Sequence, residues 1–506
     1  MTQPYRMKGL LFPTQSISLS PSSQGKKVNI RPFRFLPLLL LFLYAASSIL
    51  NLAATHPSNP IVETSKVFDS LKTHISPKEK RLEVHEEKGS KTSIACSSFI
   101  DGEVDKRNVV HQNGFLCCDR SNQRTDICYL RGKIQTDSPS SSIIIHNSAK
   151  EACEIQKIRP YTRKWETSIM ETIDEIALKL MNGSEASHRH CDVIHAVPAV
   201  VFSTGGYTGN VYHEFNDGLL PLYITSERFE GEVVFVVVEY HEWWMSKYGG
   251  IVRKLTNYQV VDFKKDKRLH CFNEMIVGLK IHGELSITPS SGTGKGIQDF
   301  QTLIGEGLLG LTTTKQAQLL PTIHKRPKLV IFTRNKSRVM MNLREIVRTC
   351  QRIGFDVHLV NPNRNTQLAD IHRLLNSADA MIGVHGAAMT HFLFMRPTSI
   401  FIQIVPLGLK WAAEEYYGEP AKKLGLEYME YTIGTDESSL SRLYGHNDPV
   451  LMDPQVVNGK GWAETKRIYL ENQNVRLDIK RFRRLLEKAY SHIVKLHLRS
   501  HDHSRT

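Results

Sequence analysis

Two short segments of the chain contain side chains suited to moving protons and holding phosphates. In the first, His213 and Asp217 are four residues apart, so on a helix they share one face. Either residue could be a general base while the other orients it, and neighbouring Glu214 is a third catalytic candidate. The alternative is a capping and ion-pair role near the start of a helix.

The second segment is a strand followed by a turn of small residues. An apolar run, Ala380–Val384, leads into His385-Gly386-Ala387-Ala388, and a helical pattern follows at once. Small residues let a phosphate approach the backbone, and the first N–H groups of a helix are free donors at the positive end of its dipole. The turn therefore predicts an anion site, with a purely structural turn as the alternative.

A basic loop follows another predicted strand, Lys328–Thr333. Its Arg334 and Arg338 carry guanidiniums that match a diphosphate, although an isolated loop of this kind could simply be solvated. Because the carboxyl ends of parallel strands meet at one edge of a sheet, Arg334 and His385 can converge in one crevice. The sequence lacks Asp-x-Asp and a second zinc-binding His, so we predict chemistry with no metal and no other cofactor.

Further candidates could hold sugar groups. Tyr207 lies in a glycine-rich turn before His213, and Trp243 follows an apolar strand, so both could contact an acceptor sugar, although paired tryptophans are more often core. Glu414 and Glu415 follow the last predicted strand and could hydrogen-bond the ribose of a nucleotide.

Alternating strands and helices must position these residues. Residues 328–405 read as β-α-β-α-β-α-β, the pattern of a doubly wound parallel sheet. Apolar runs at 196–203 and 232–240 indicate an earlier α/β region, preceded by cysteine-rich β structure. We predict an α/β fold of two Rossmann-like domains, 93–320 and 321–506, facing a cleft, with a basic C-terminal helix in the second.

The N-terminal part predicts a membrane anchor. Residues 35–54 are uncharged and close to the ~20 residues that cross a bilayer, and a basic tail, 1–34, precedes them. We therefore expect a type II membrane protein with a polar stem at 55–92 and a lumenal body. The alternative is a cleaved signal peptide. The net charge of +14 lies largely in the tail and the C-terminal helix, and we find no nucleic-acid-binding module.

Cysteines and sequons fit a lumenal body. All eight cysteines follow the apolar span, so disulfides are expected, and adjacent Cys117 and Cys118 should have different partners. Asn182 and Asn335 begin glycosylation sequons.

Four motifs together resemble plant members of glycosyltransferase family 61. They are GGYTGNVYHEFNDGLLPLY, HCFNEMIVGL, LVIFTRNKSR and ADAMIGVHGAAMTHFLFM, in this order and spacing. The resemblance runs from about Cys96 to the C-terminus. It implies a Golgi membrane enzyme of type II topology with a GT-B-like fold that performs metal-independent, inverting transfer. Many family members have Gly-Leu where this chain has Ala388-Met389, which leaves the donor sugar open.

The expected reaction is transfer of a pentose, arabinofuranose first, from a UDP-sugar bound by the second domain to side-chain positions of xylan or another polysaccharide. The alternatives are β-1,2-xylosyl transfer to xylan, N-acetylglucosaminyl transfer to glycoproteins, and a Golgi glycan-binding protein that has lost catalysis. A lumenal dinucleotide oxidoreductase is a remote alternative, because it requires a glycine pattern followed by an acidic residue and this sequence has no such arrangement.

Overall fold

The computed structural model describes residues 96–102, 114–147, 154–182, 190–289, 294–310 and 326–503. The tail, anchor and stem expected at 1–92 lie outside these ranges. None of the helices within them combines the length and the apolar character of a membrane span. The described part of the chain has a mixed α/β fold.

The first half of the described chain forms one ten-stranded sheet. Its strands are β1 Phe115–Asp119, β2 Ile127–Asp137, β3 Ser142–Asn147, β4 Glu154–Ile158, β5 Ile176–Asn182, β6 Val193–Ile194, β7 Ala199–Phe202, β8 Val234–Val237, β9 Val261–Asp262 and β10 His270–Val277. They follow the order β4-β5-β3-β2-β10-β7-β8-β9, with β1 paired to β2 and β6 paired to β10.

This first sheet is part parallel and part antiparallel. Strands β10, β7, β8 and β9 are parallel, and every residue of β7 and β8 is buried, as expected for strands covered on both faces. Strands β1 to β4 add antiparallel pairs, so the sheet is broader than the expected parallel region. The predicted cysteine-rich β structure is therefore continuous with the parallel strands.

Disulfides fasten this antiparallel part. Cys96 bonds Cys117, and Cys118 bonds Cys128, so the adjacent cysteines do have different partners. A third bridge joins Cys191 to Cys271 of β10.

The second half forms a five-stranded sheet in which all strands are parallel. The strands are β11 Lys328–Phe332, β12 Asp356–Val360, β13 Ala380–Val384, β14 Ile400–Val405 and β15 Glu427–Thr432. Their order, β12-β11-β13-β14-β15, is that of a doubly wound sheet with its switch point between β11 and β13. The predicted alternation is confirmed here, with bounds shifted by a few residues.

Helices of several types connect these strands. The α-helices are α1 Cys96–Asp101, α2 Thr167–Met170, α3 Val211–His213, α4 Leu220–Ser226, α5 Glu242–Val252, α6 Ile297–Leu309, α7 Leu343–Ile353, α8 Leu368–Asn376, α9 Lys410–Ala413, α10 Glu419–Lys423, α11 Pro449–Met452, α12 Pro454–Asn458, α13 Trp462–Thr465 and α14 Ile479–His503. Short 3₁₀ turns occupy Ser138–Ser140, Glu227–Phe229, Thr435–Glu437 and Ser439–Arg442. Wider π-helical turns occupy Glu214–Leu219, Glu414–Gly418 and Lys466–Glu471.

The run after the small-residue turn is a 3₁₀ helix, Ala387–Phe394, where the sequence predicted an α-helix. All its residues from Met389 to Phe394 are buried, so this helix is covered on every side along most of its length.

The two sheets share a hydrophobic core. Phe202 and Phe235 of the first sheet belong to the same buried cluster as Val330 and Phe332 of the second, together with Phe392 of the 3₁₀ helix. The start of α3 contacts that 3₁₀ helix directly. The packing therefore brings the segment after β7 against the turn after β13.

Candidate functional site

Asp217 is the centre of a buried ionic cluster. It is 0 % exposed, and its Oδ2 lies 2.6 Å from His213 Nδ1 and accepts a hydrogen bond from Arg163 Nε at 2.8 Å. The side-chain amide of Asn216 donates to Oδ1 at 2.8 Å. The predicted His213–Asp217 pair is therefore formed across one helical turn.

The charges around Asp217 fix the tautomer of His213. Burial alone would raise the pKa of Asp217, but the hydrogen bond from His213 and the charge of Arg163 outweigh burial and hold the pKa below its usual value. His213 Nδ1 lies 2.6 Å from the carboxylate of Asp217 and 3.2 Å from Arg163 Nη2, and because an ionised carboxylate can only accept, the shorter contact places the proton on Nδ1 and the free lone pair on Nε2. This is the arrangement by which a carboxylate orients a histidine base.

Sequence reasoning missed the segment that completes this cluster, Tyr161–Glu166. Arg163 bridges Asp217 to Glu166, and Glu166 accepts a hydrogen bond from Tyr207 at 2.6 Å. The Tyr207 ring stacks on His213 with centroids 4.1 Å apart. Trp165 stacks over the Arg163 guanidinium at 5.0 Å. The available signal was the mixture of aromatic and basic residues in Arg159–Trp165 directly after a strand.

Glu214 points away from the His213–Asp217 pair. It accepts the backbone N–H of Gly209 and the indole N–H of Trp244, each at 2.5 Å. Burial, offset by these hydrogen bonds, raises its pKa to about 7. Glu214 therefore holds the glycine-rich turn against α5, which is a positioning role.

Arg334 and Arg338 meet over Gly386. A Cβ at Gly386 would lie 2.7 Å from Arg338 Nη1 and 2.8 Å from Arg334 Nη1, so a side chain there would displace both guanidinium ends, and the φ of +150° at this position also favours glycine. Arg338 donates to the carbonyl of His385 at 2.8 Å, and Arg334 donates to the carbonyl of Ser337 at 3.0 Å. The turn after β11 and the turn after β13 thus meet at the switch point of the sheet, as predicted.

The positive charge of this basic cluster is uncompensated. Within the described residues neither Arg334 nor Arg338 forms an ion pair with a carboxylate. Burial lowers the pKa of both, and burial together with Arg334 lowers the pKa of Arg338 to about 9. Arg334 and Arg338 are half-buried, and two neighbouring like charges repel, so a bound anion would relieve the repulsion.

His385 is the neutral member of the basic cluster. Burial, then the charges of Arg338 and Arg334, lower its pKa to about 3. Tyr428 donates to Gln403 Oε1 at 2.8 Å, and the amide of Gln403 lies 2.9 Å from His385 Nδ1. This orientation of Gln403 makes Nδ1 an acceptor and leaves the proton on Nε2. Sequence reasoning missed Gln403, a buried polar residue in the apolar strand β14.

Aromatic rings join the two clusters. Tyr212 lies 5.1 Å from the His213 ring and 5.8 Å from Tyr417, and Tyr417 lies 5.4 Å from the His385 ring. The candidate proton-transfer pair and the candidate anion site are therefore neighbours.

A cavity of about 420 Å³ lies where the two halves meet, next to the predicted phosphate turn. Trp243, which is 42 % exposed, lines it together with Ala387 and Ala388. Lys247 and Arg364 add two cationic groups to its wall. Its lining suits a nucleotide or a sugar more than it suits an apolar ligand.

The remaining predicted residues belong to neither cluster and do not line this cavity. Glu414 pairs with Lys422 at 2.7 Å and lines a separate trough, while Glu415 is exposed, with its pKa raised by partial desolvation and by Glu284. Their predicted contact with a ribose stays a prediction.

The two sequon asparagines belong to neither cluster. Asn335 is exposed in the loop after β11, and Asn182 ends β5. In the described ranges no group of three His, Cys, Asp or Glu side chains could hold a metal ion.

The family model for glycosyltransferase 61 matches residues 144–402, a range that contains both clusters. The chain belongs to glycosyltransferase family 61. A second line of similarity is as strong, since 410 residues are 52 % identical to the xylan glycosyltransferase MUCI21 of Arabidopsis thaliana, covering 78 % of this chain and 83 % of that protein.

Two relatives from Oryza sativa subsp. japonica are each 35 % identical to this chain. One is the alpha-1,3-arabinosyltransferase XAT3, with 79 % of this chain and 69 % of the relative covered. The other is the beta-1,2-xylosyltransferase XYXT1, with 78 % and 88 % covered. The names of these two relatives give different sugars, so the comparisons leave the sugar that this chain transfers open.

Proposed function

We propose that this protein transfers a pentose from a UDP-sugar to side-chain positions of xylan, with inversion and without a metal. The observation that carries the proposal is the pair of uncompensated guanidiniums, Arg334 and Arg338, beside the His213–Asp217 pair. One cluster suits a departing diphosphate and the other suits removal of a proton. Their proximity supports a direct displacement.

In this mechanism the diphosphate of the donor lies over Gly386. Arg334, Arg338 and the first amides of the 3₁₀ helix, at Ala387 and Ala388, neutralise the charge that develops on the leaving UDP. This arrangement supplies the positive charge that a divalent cation supplies in other glycosyl transfers. His385, held neutral, contributes an N–H rather than a further charge.

His213 removes the proton from the acceptor hydroxyl through Nε2 as that oxygen attacks the anomeric carbon. Asp217 stabilises the imidazolium that results, and Arg163 keeps Asp217 ionised. Attack from the face opposite the leaving UDP inverts the anomeric centre.

Arabinofuranose is our first donor sugar and xylose the second candidate. The equal identities to an arabinosyltransferase and a xylosyltransferase favour keeping both. The name of the relative at 52 % identity supports xylan as the acceptor. The protein would act in the Golgi membrane as a single-pass type II enzyme, with its two sheets as the Rossmann-like halves of a GT-B-like body.

A donor screen tests the proposal. The full-length chain in detergent is incubated with UDP-arabinofuranose, UDP-xylose or UDP-arabinopyranose and with xylooligosaccharides, and products are measured by mass spectrometry. We expect one pentose donor to be used, with chelator present, and Arg334→Met to weaken UDP binding about 10- to 100-fold. The exposed Arg373→Met is the matched control. Failure of every pentose donor, or unchanged UDP binding in Arg334→Met, would contradict the proposal.

A further inference from the structure

An open trough of about 780 Å³ lies beside the second sheet, and the proposed transfer does not use it. Its wall comes from the segment after β14, from the edge strand β15 and from α12. The side chains that matter for its chemistry are Lys410, Trp411, Glu414, Lys422, Glu430 and Gln455.

Tryptophan rings are exposed at the trough. Trp411, in its wall, is 43 % exposed, and Trp462, whose ring centroid lies 6.2 Å away, is 45 % exposed. Tryptophan is usually well buried, so two neighbouring exposed rings indicate a binding surface. A flat indole face fits the apolar C–H face of a sugar ring, while polar groups beside it bind the hydroxyls.

A row of rings leads from this trough to the proposed base. Trp411 lies 5.7 Å from Tyr416, Tyr416 lies 5.6 Å from Tyr212, and Tyr212 lies 5.1 Å from His213. Tyr212 is buried, Tyr416 is half-buried and Trp411 is exposed, so the row opens outwards. Neighbouring aromatic side chains therefore link the wall of the trough to the proposed base.

The charges of the trough favour an uncharged ligand. Its two lysines, Lys410 and Lys422, are balanced by Glu414 and Glu430, and Lys422 is already paired with Glu414 at 2.7 Å. A polyanion would meet two carboxylates there, whereas a neutral glycan would find hydrogen-bond acceptors and the amide of Gln455.

We propose that the trough of Trp411 and Trp462 binds a neutral polysaccharide acceptor at sugar residues remote from the one that receives the pentose. The inference rests on the proposed function, because it takes the acceptor to be a polymer. The chain would lie over Trp462 and Trp411 and enter past Tyr416 towards His213. A long acceptor would then bind more tightly than a short one that reaches only the transfer site.

The test compares acceptors of different length. In the full-length enzyme, Trp411→Ala and Trp462→Ala should each raise the KM for xylan or long xylooligosaccharides about tenfold and leave the KM for xylobiose and for the donor within about twofold. Trp411→Phe should restore most of the loss. The matched control is Tyr258→Ala, an exposed aromatic residue just before the edge strand β9 of the first sheet, whose hydroxyl donates to Glu232. Equal effects on short and long acceptors, or none on either, would overturn the inference.

Affinity electrophoresis in gels containing xylan gives a readout that does not depend on turnover. Slower migration of the wild type, lost in the two tryptophan variants and kept in Tyr258→Ala, supports the trough as the xylan site even if no pentose donor is used. If both tryptophan variants still migrate slowly, xylan binds elsewhere, which overturns the assignment of the trough and leaves the proposed transfer reaction unaffected. A change of oligomeric state in the variants would also overturn it, since the rings would then hold a protein partner.

Discussion

The two clusters of the candidate site, one around Asp217 and one around Gly386, differ in whether their positive charges have a carboxylate partner. Around Asp217, a carboxylate, a guanidinium and an imidazole satisfy one another within 2.6–2.8 Å. Around Gly386, two half-buried guanidiniums meet with no carboxylate partner among the described residues, and their hydrogen bonds go to backbone carbonyls. The first cluster is complete without a ligand, and the second is electrostatically incomplete.

This difference separates orientation from binding. A satisfied buried network holds its members in one geometry, as a base must be held. An uncompensated buried charge is costly in the free protein, and that cost becomes affinity when an anion arrives. The completed cluster should therefore control turnover and folding, and the incomplete one should control the donor.

Removing His213 should give the largest effect. We expect His213→Ala to lower kcat by about 10²- to 10⁴-fold, the usual contribution of a general base, and to leave UDP affinity unchanged. Transfer assays and calorimetric titration with UDP measure the two quantities. His358→Ala is the matched control, because His358 is an exposed histidine that also pairs with an aspartate, Asp356, at 3.0 Å. If His213→Ala keeps the full kcat, His213 is not the general base.

Removing one arginine from each cluster should affect folding in different ways. Arg163→Met removes the guanidinium that pairs with buried Asp217, while His213 and Asn216 still hydrogen-bond to it, and should lower the free energy of unfolding by about 3 kcal/mol. Arg338→Met removes one of two like charges and should leave stability unchanged or raise it. Thermal and denaturant unfolding of the ligand-free protein, measured side by side, would decide. Equal losses in the two variants would show that the clusters do not differ.

The sequence predicted the centres of both clusters because each depends on local spacing. His213 and Asp217 are one helical turn apart, and Arg334 and His385 each follow a strand of the same parallel sheet. Disulfide-bearing β structure and the order of elements were also predictable. The antiparallel extension of the first sheet was not, because strand pairing between distant segments leaves no local pattern.

The partners of these centres were out of reach for the same reason. Arg163 reaches Asp217 across 54 residues, and Gln403 orients His385 across 18. Arg338 also adopts a positive φ of 54°, held by its N–H bond to the carbonyl of Gln473 at 2.6 Å. Such contacts arise only once the sheets are packed.

Glu214 lies beside the completed cluster, and its effect should depend on pH. Burial, only partly offset by hydrogen bonds from Gly209 and Trp244, raises its pKa from 4.5 to about 7, so the folded state prefers the protonated form. Its contribution to stability is complete below the unfolded value near 4.5 and is lost as pH rises through about 7. Glu214→Gln removes the ionisable group, but its amide NH2 replaces one of the two oxygens that accept from Gly209 and Trp244, so the variant should be less stable than the wild type at acidic pH. The difference should then shift in favour of the variant by at most about 3 kcal/mol as pH rises past 7.

The measurement is the difference in unfolding free energy between variant and wild type across this pH range. The contribution of His385 has the opposite pH dependence, because its lowered pKa makes the protein less stable as pH falls. Variant and wild type share this contribution, so it cancels in the difference. Glu232→Gln is the control, because hydrogen bonds from Tyr258 and Asn257 lower the pKa of exposed Glu232 and should give a difference of opposite sign. A flat difference for Glu214→Gln would mean that Glu214 is ionised in the folded protein throughout, and that it holds the glycine-rich turn as an anion.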